Sequence, residues 1–211
     1  MKYIAHKDGE REQTIKEHLI GTATLAGQFA EKFGSKDWGY CGGMLHDIGK
    51  YSEEFQKKIN EDTNNMVDHA TAGAQLCKKI NLPVLDYCIA GHHAGLPDYG
   101  NTAERSSLCG RYKKKIYNYE AYQEEIKIPE IYTEPFDIKT LSDPDFSLST
   151  FTRMIYSCLV DADFLDTEYF MKNGLVERQS GQSMNILLKK LENRILDWLK
   201  NNDIDKIGRA H

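Results

Sequence analysis

The chain has 211 residues, 40% of them hydrophobic and 28% charged, and a formal net charge of −5. That length suits one domain with a full hydrophobic core, residues 1–211, and the composition excludes an intrinsically disordered chain. No apolar run approaches the roughly 18 residues that cross a bilayer and no signal-peptide core opens the chain, so a cytoplasmic protein without a membrane partner is expected. The acidic balance argues against a generally basic nucleic-acid-binding surface but leaves room for a local basic track or a cationic centre.

Taken in chain order, a short extended start leads to Thr14-Ile15-Lys16-Glu17, a capping box. Ile15, Leu19, Ala23, Ala26, Ala30 and Phe33 then recur at helical spacing until Gly34, and His18 falls on their buried side. A second helix is predicted from about Lys36 to Ile48, ending at Gly49, which puts His46 and Asp47 in its last turn. Ser52 reads as the N-cap of a short helix through Ile59. Another helix is predicted from Asp68-His69 to Ile80, and Pro83 opens the next toward Ala90, just before His92-His93. Periodicity then weakens, with Pro97, Gly100, Pro129, Pro135 and Pro144 marking turns around a helix near Ala103 to Glu125. From about Ser149 a clear helix face returns and runs through Met171, with Gly174 as its stop. The stripe Met184, Leu187, Leu188, Leu191, Ile195, Trp198 and Leu199 reads as the core face of a last helix. Period-two alternation is scarce, so the expected fold class is all-α.

The five cysteines, Cys41, Cys77, Cys88, Cys109 and Cys158, are odd in number and form no C-x-x-C pair, as befits free thiols. The chemistry lies elsewhere. His18, His46, His69, His92 and His93 sit within or at the ends of predicted helices, together with Asp47, Asp161 and Asp163. Singly, His18 or His69 reads as a packed or capping histidine. Jointly, imidazoles and carboxylates suit divalent first-row metals, and a carboxylate with two oxygens can bridge two ions. His6 and His211 have no motif around them and read as a surface residue and a terminal one. Gly42-Gly43 reads as close helix packing in preference to a phosphate cradle.

The order His18, Leu45-His46-Asp47-Ile48-Gly49-Lys50, then Val160-Asp161-Ala162-Asp163 resembles the HD superfamily of metal-dependent phosphohydrolases. Asp68-His69-Ala70-Thr71-Ala72-Gly73-Ala74, Ala90-Gly91-His92-His93-Ala94-Gly95, and Ser157 to Glu168 resemble one branch of it. That branch is the HD nuclease domain of the type I CRISPR-associated helicase-nuclease. Ala70 stands where the branch often has serine, and no phosphate loop of the helicase part occurs in the sequence. The resemblance implies an HD helical bundle with a binuclear metal site in its core. His18, His46, Asp47 and Asp163 would hold one divalent ion, with Asp161 as the alternative to Asp163. Asp47, His69, His92 and His93 would hold the second, making Asp47 the bridge. Manganese, iron, cobalt, nickel or magnesium would serve.

The implied activity is hydrolysis of single-stranded DNA in CRISPR interference, with the surveillance complex and a helicase as partners. Asp47 and Lys50 would be catalytic, Lys50 by neutralising a phosphoryl oxygen, although a lysine after Gly49 equally reads as solvated. Arg111, Lys113, Lys114 and Lys115, interleaved with tyrosines, suit a nucleic-acid path, although charge runs also form solvated helix faces. The rival enzyme class is an HD phosphohydrolase of small nucleotides, and a non-catalytic HD module is the rival outside enzymes.

Overall fold

The computed structural model describes residues 2–61, 66–134, 136, 141–176 and 182–200. It is mostly helical, with eight α-helices and a single two-stranded sheet among the described residues. No helix among them is long and apolar enough to cross a membrane. Contacts divide the chain into two units, Met1–Leu175 and Val176–His211.

The first unit opens with an antiparallel hairpin, β1 (Ile4–Asp8) and β2 (Arg11–Thr14). Gly9 turns it with φ +61°, a conformation that glycine adopts without steric cost. The extended start is therefore a paired ribbon, and Gln56 secures it: its amide accepts from Ile4 N–H (2.9 Å) and donates to the carbonyls of Ile4 (3.1 Å) and Lys50 (2.8 Å). Helix α1 (Ile15–Glu31) starts on the capping box, and Ile15, His18, Leu19, Thr22, Ala23, Ala26 and Ala30 form its buried face.

Helix α2 (Lys36–Leu45) packs along α1 at very short range. A Cβ on Gly43 would lie 2.4 Å from Ala23 Cα, so the packing reading of this glycine holds, and the two backbones touch. After α2, a 3-10 turn (Ile48–Tyr51) leads to α3 (Glu53–Glu61), α4 (Ala70–Lys79) and α5 (Pro83–Gly91). The short α6 (Leu108–Lys113) packs on α4, and the long α7 (Pro144–Met171) lies against α1, α2 and α5. Leu19, Leu45, Ile48, Leu85, Ile89, Ile155 and Leu159 are buried in one apolar core. Each contributes roughly 1.5–3 kcal/mol relative to exposure.

Three element boundaries differ from the sequence reading. Helix α2 stops at Leu45, not Ile48, because Asp47 leaves helical geometry (φ −115°, ψ 18°) and caps the 3-10 turn. The helix expected from Ala103 to Glu125 is only α6 and a 3-10 turn at Glu120–Glu124. Helix α7 begins at Pro144, earlier than Ser149, since a proline at the first helical position wastes no amide and Asp143 caps the turn by accepting from Phe146 N–H at 3.0 Å. All five cysteines are free thiols.

The second unit contains α8 (Met184–Lys200). Its stripe was expected to be core, but Leu187, Leu188, Leu191 and Leu199 stay exposed. His211 and Pro135 lie outside the described residues.

Candidate metal centre

The seven residues named as ligands come from five separate places in the chain and meet at one point. His18 comes from the buried face of α1, and His46 and Asp47 from the end of α2. His69 immediately precedes α4, His92 and His93 follow α5, and Asp163 projects from α7. Two groups of four result, each with its ligand atoms within 4.8 Å of one another: His18, His46, Asp47 and Asp163, and Asp47, His69, His92 and His93. Asp47 belongs to both.

Asp47 Oδ2 faces the first group, 3.3 Å from His18 Nε2 and 3.4 Å from His46 Nε2. Oδ1 faces the second, 3.3 Å from His69 Nε2 and 3.4 Å from His92 Nε2. Asp163 Oδ1 completes the first group at 3.2 Å from His18 and 3.5 Å from His46. His93 Nε2 joins the second at 2.7 Å from His69 Nε2. Asp161 is exposed and does not reach the centre, because a step of two residues turns about 200° around a helix.

These residues fit a divalent metal. Asp47 is 1% exposed, yet neither carboxylate oxygen has a hydrogen-bond partner, and buried His92 Nε2 has none either. Unsatisfied buried polar atoms are costly unless something else satisfies them. Contacts of 3.2–3.5 Å exceed the roughly 2.7–2.9 Å of a charge-assisted hydrogen bond. They match the ~3 Å spacing of neighbouring ligands that each lie about 2.0–2.2 Å from a shared ion.

The far side of each ring shows the same design. His46 Nδ1 lies 2.8 Å from Gly43 O, His92 Nδ1 2.7 Å from Ile89 O, and His69 Nδ1 3.2 Å from Val67 O. An Nδ1–H donated outward leaves the Nε2 lone pair pointing at the centre. His18 Nδ1 instead meets Asp166 Oδ2 at 2.8 Å, and Gln13 Nε2 donates to the same oxygen at 2.8 Å. Asp166 fits there only because residue 21 is glycine, since a Cβ would fall 1.9 Å from its Oδ1.

Electrostatically the two groups differ. Burial opposes a charged His18, but the neighbouring carboxylates of Asp163, Asp166 and Asp47 outweigh that and hold its pKa up at about 9. His46 follows the same pattern: burial is overridden by Asp47 and Asp163, to about 10. Burial pushes His69 down to about 4, and it lowers His93 as well. Burial also opposes charge on Asp47, yet Lys50, His46 and His69 hold its carboxyl well below the usual range.

Lys50 belongs to the centre. It is 4% exposed, so the solvated reading does not apply, and its ammonium stands 2.7 Å from Asp47 Oδ2, a charge contact without hydrogen-bond geometry. His6 is a correction. Expected at the surface, it is half-buried, with its ring 4.7 Å from that of His18 and its Nε2 3.4 Å from both Lys50 Nζ and Thr167 Oγ1. Burial, and then the Lys50 charge, push its pKa down to about 3, which keeps it a neutral acceptor. The basic segment packs on the start of α4: Arg111 donates to Thr71 Oγ1 (3.1 Å) and Lys114 to Asp68 Oδ2 (2.5 Å), next in sequence to His69. Lys113 and Lys115 are exposed.

A model of the HD domain matches residues 15–132, more than half of the chain and most of the ligand set. A curated relative, a 1-hydroxy-2-(trimethylamino)ethylphosphonate dioxygenase (glycine-betaine-forming) from Leisingera caerulea, is 29% identical over 102 residues. That match covers 45% of this chain and 50% of the relative, so the chain spans about half the length of the relative it matches.

Proposed function

Because the chain belongs to the HD domain family, we propose that it is a metal-dependent phosphodiester hydrolase, a nuclease that acts on single-stranded DNA. The observation that carries this reading is Asp47, whose two oxygens, neither with a hydrogen-bond partner, are shared between two complete ligand groups. Two divalent ions held there would screen an anionic substrate, activate water and stabilise charge on phosphoryl oxygens, and manganese, iron, cobalt, nickel or magnesium would suit. With their Nδ1 atoms engaged behind them, His18, His46, His69 and His92 aim Nε2 at the centre, where a bound ion would take the place of the proton on His18 and His46. Lys50 adds an ammonium group beside Asp47, able to neutralise an oxygen of the phosphodiester. Its cover by the Phe55 ring, 5.5 Å from Nζ, limits access of water to that charge.

In the branch that the sequence resembles, such a nuclease receives a strand displaced by a guide RNA, and a surveillance complex and a helicase are the corresponding partners here. The test is cleavage of a labelled single-stranded oligonucleotide by protein reconstituted with manganese, cobalt or nickel. A chelator and Asp47→Ala should each abolish it, and unchanged cleavage by Asp47→Ala would sink the assignment.

The similarity to a dioxygenase favours a second reading, in which the same ligands hold a redox metal. Oxygen dependence separates the two. Hydrolysis proceeds anaerobically with manganese, whereas an oxygenase consumes dioxygen and stops without it.

A further inference from the structure

Residues 105–115 carry five cations, Arg105, Arg111, Lys113, Lys114 and Lys115, and no carboxylate, in a chain whose net charge is −5. They do not spread over an open helix face. A cleft of about 460 Å³ is lined by Thr102, Arg105, Gly110, Lys113, Lys114 and Lys115, so four cations from two sides converge on one space. Lys114 and Arg111 stand 2.5 and 4.0 Å from Asp68, whereas Arg105, Lys113 and Lys115 pair with no carboxylate among the described residues. Like charges gathered without counter-ions repel one another and favour a bound polyanion.

The cleft also leads somewhere. Lys114 and Lys115 line a second one, of about 410 Å³, together with Asp68, Met66, Ile116 and Tyr117. Tyr117 is 53% exposed, and Asp68 immediately precedes the ligand His69. Cations without a carboxylate partner and an exposed aromatic ring around adjoining clefts, one of them lined by the residue that precedes His69, are what a single polynucleotide strand requires, because its phosphates need charge and its unstacked bases need a ring.

We propose that this double cleft binds a single-stranded polynucleotide, with phosphates on Arg105, Lys113 and Lys115 and a base on Tyr117, and delivers it to the centre past Asp68. The proposal rests on the phosphodiester reading above and adds a substrate track to it. Binding of labelled oligo(dT) in EDTA, which prevents cleavage, is measured against salt for the whole protein. Lys113→Ala/Lys115→Ala should weaken it about tenfold and reduce the salt slope by about 1.4, at roughly 0.7 per phosphate. Tyr117→Ala should also weaken it about tenfold while leaving binding of base-free inorganic polyphosphate unchanged. With manganese, both variants should hydrolyse bis(p-nitrophenyl) phosphate at the wild-type rate. Wild-type affinity and slope in the lysine variant, or no loss in Tyr117→Ala, overturns the track. Oligonucleotide binding without any hydrolysis of the small diester overturns the hydrolase reading instead.

Discussion

Replacing Asp166 by alanine isolates the support behind one ligand without touching the ligands. Alanine is a good helix former, so α7 keeps its backbone. What is lost is the acceptor for His18 Nδ1, at 2.8 Å, in a ring with 0% exposure, and the acceptor for Gln13. An orphaned buried N–H costs roughly 1–3 kcal/mol. The Asp166 side chain is 13% exposed, so water can reach the vacated place and the lower half of that range applies. About 1–2 kcal/mol corresponds to a fall in Tm of roughly 2–8 °C for a chain of this size. The larger effect falls on the metal. A ligand imidazole whose tautomer and orientation are no longer set typically loses about 10–100-fold in metal affinity. Asp166→Asn retains an oxygen that can accept from both donors and should lie between the two. Gly21→Ala should reproduce Asp166→Ala, since its methyl group would occupy the position of Asp166 Oδ1. Equilibrium dialysis against manganese, with thermal melts of the metal-free protein, checks all three. Wild-type manganese affinity in Asp166→Ala would refute the role given to this carboxylate.

Gly49→Ala would put a Cβ 2.2 Å from His69 O and 2.7 Å from His69 Cα, backbone that cannot step aside. It should destabilise the fold by about 1–3 kcal/mol in chemical denaturation and weaken manganese binding through His69. Asp86, buried and bonded by Tyr112 OH at 2.5 Å, has its carboxyl pushed up by burial to about 6, with Tyr112 and the Tyr87 backbone acting against the shift. A raised carboxyl pKa stabilises the fold fully below the unfolded value of 3.8, and that contribution is lost as pH rises through 6. Asp86→Asn should therefore gain stability relative to wild type between pH 4 and pH 7, and a denaturation midpoint difference that stays flat with pH would contradict this.

Much of this architecture was legible because it obeys local rules. The capping box at Thr14 and the Ile15 to Ala30 spacing placed His18 inward, and the motif order assembled the remaining ligands. Helix rotation allowed only one of Asp161 and Asp163 to face the centre, and the structure places Asp163 there and leaves Asp161 exposed. Asp166 went unnoticed although a signal existed: it stands three residues after Asp163, one turn along the same helix face. Gln13 and His6 gave no such sign, because their roles depend on the hairpin lying against α7 and the 3-10 turn, a tertiary placement without sequence periodicity. The helix expected from Ala103 to Glu125 failed for a related reason. Gly110 packs against the backbone of Glu104, where a Cβ would be 2.1 Å from the carbonyl oxygen, so the chain folds back on itself instead of continuing.

The two ligand groups are very unequal in chain topology. Asp47, His69, His92 and His93 lie on one continuous stretch, from the end of α2 to just past α5, and can gather through short loop closures. The other group needs α1 and α7, whose His18 and Asp166 are 148 residues apart in sequence. Long closures of this kind form late and cost more entropy. An ion held by His18 and Asp163 would therefore tie the start of the domain to its last long helix, a staple across the fold that would oppose unfolding by binding the folded state alone.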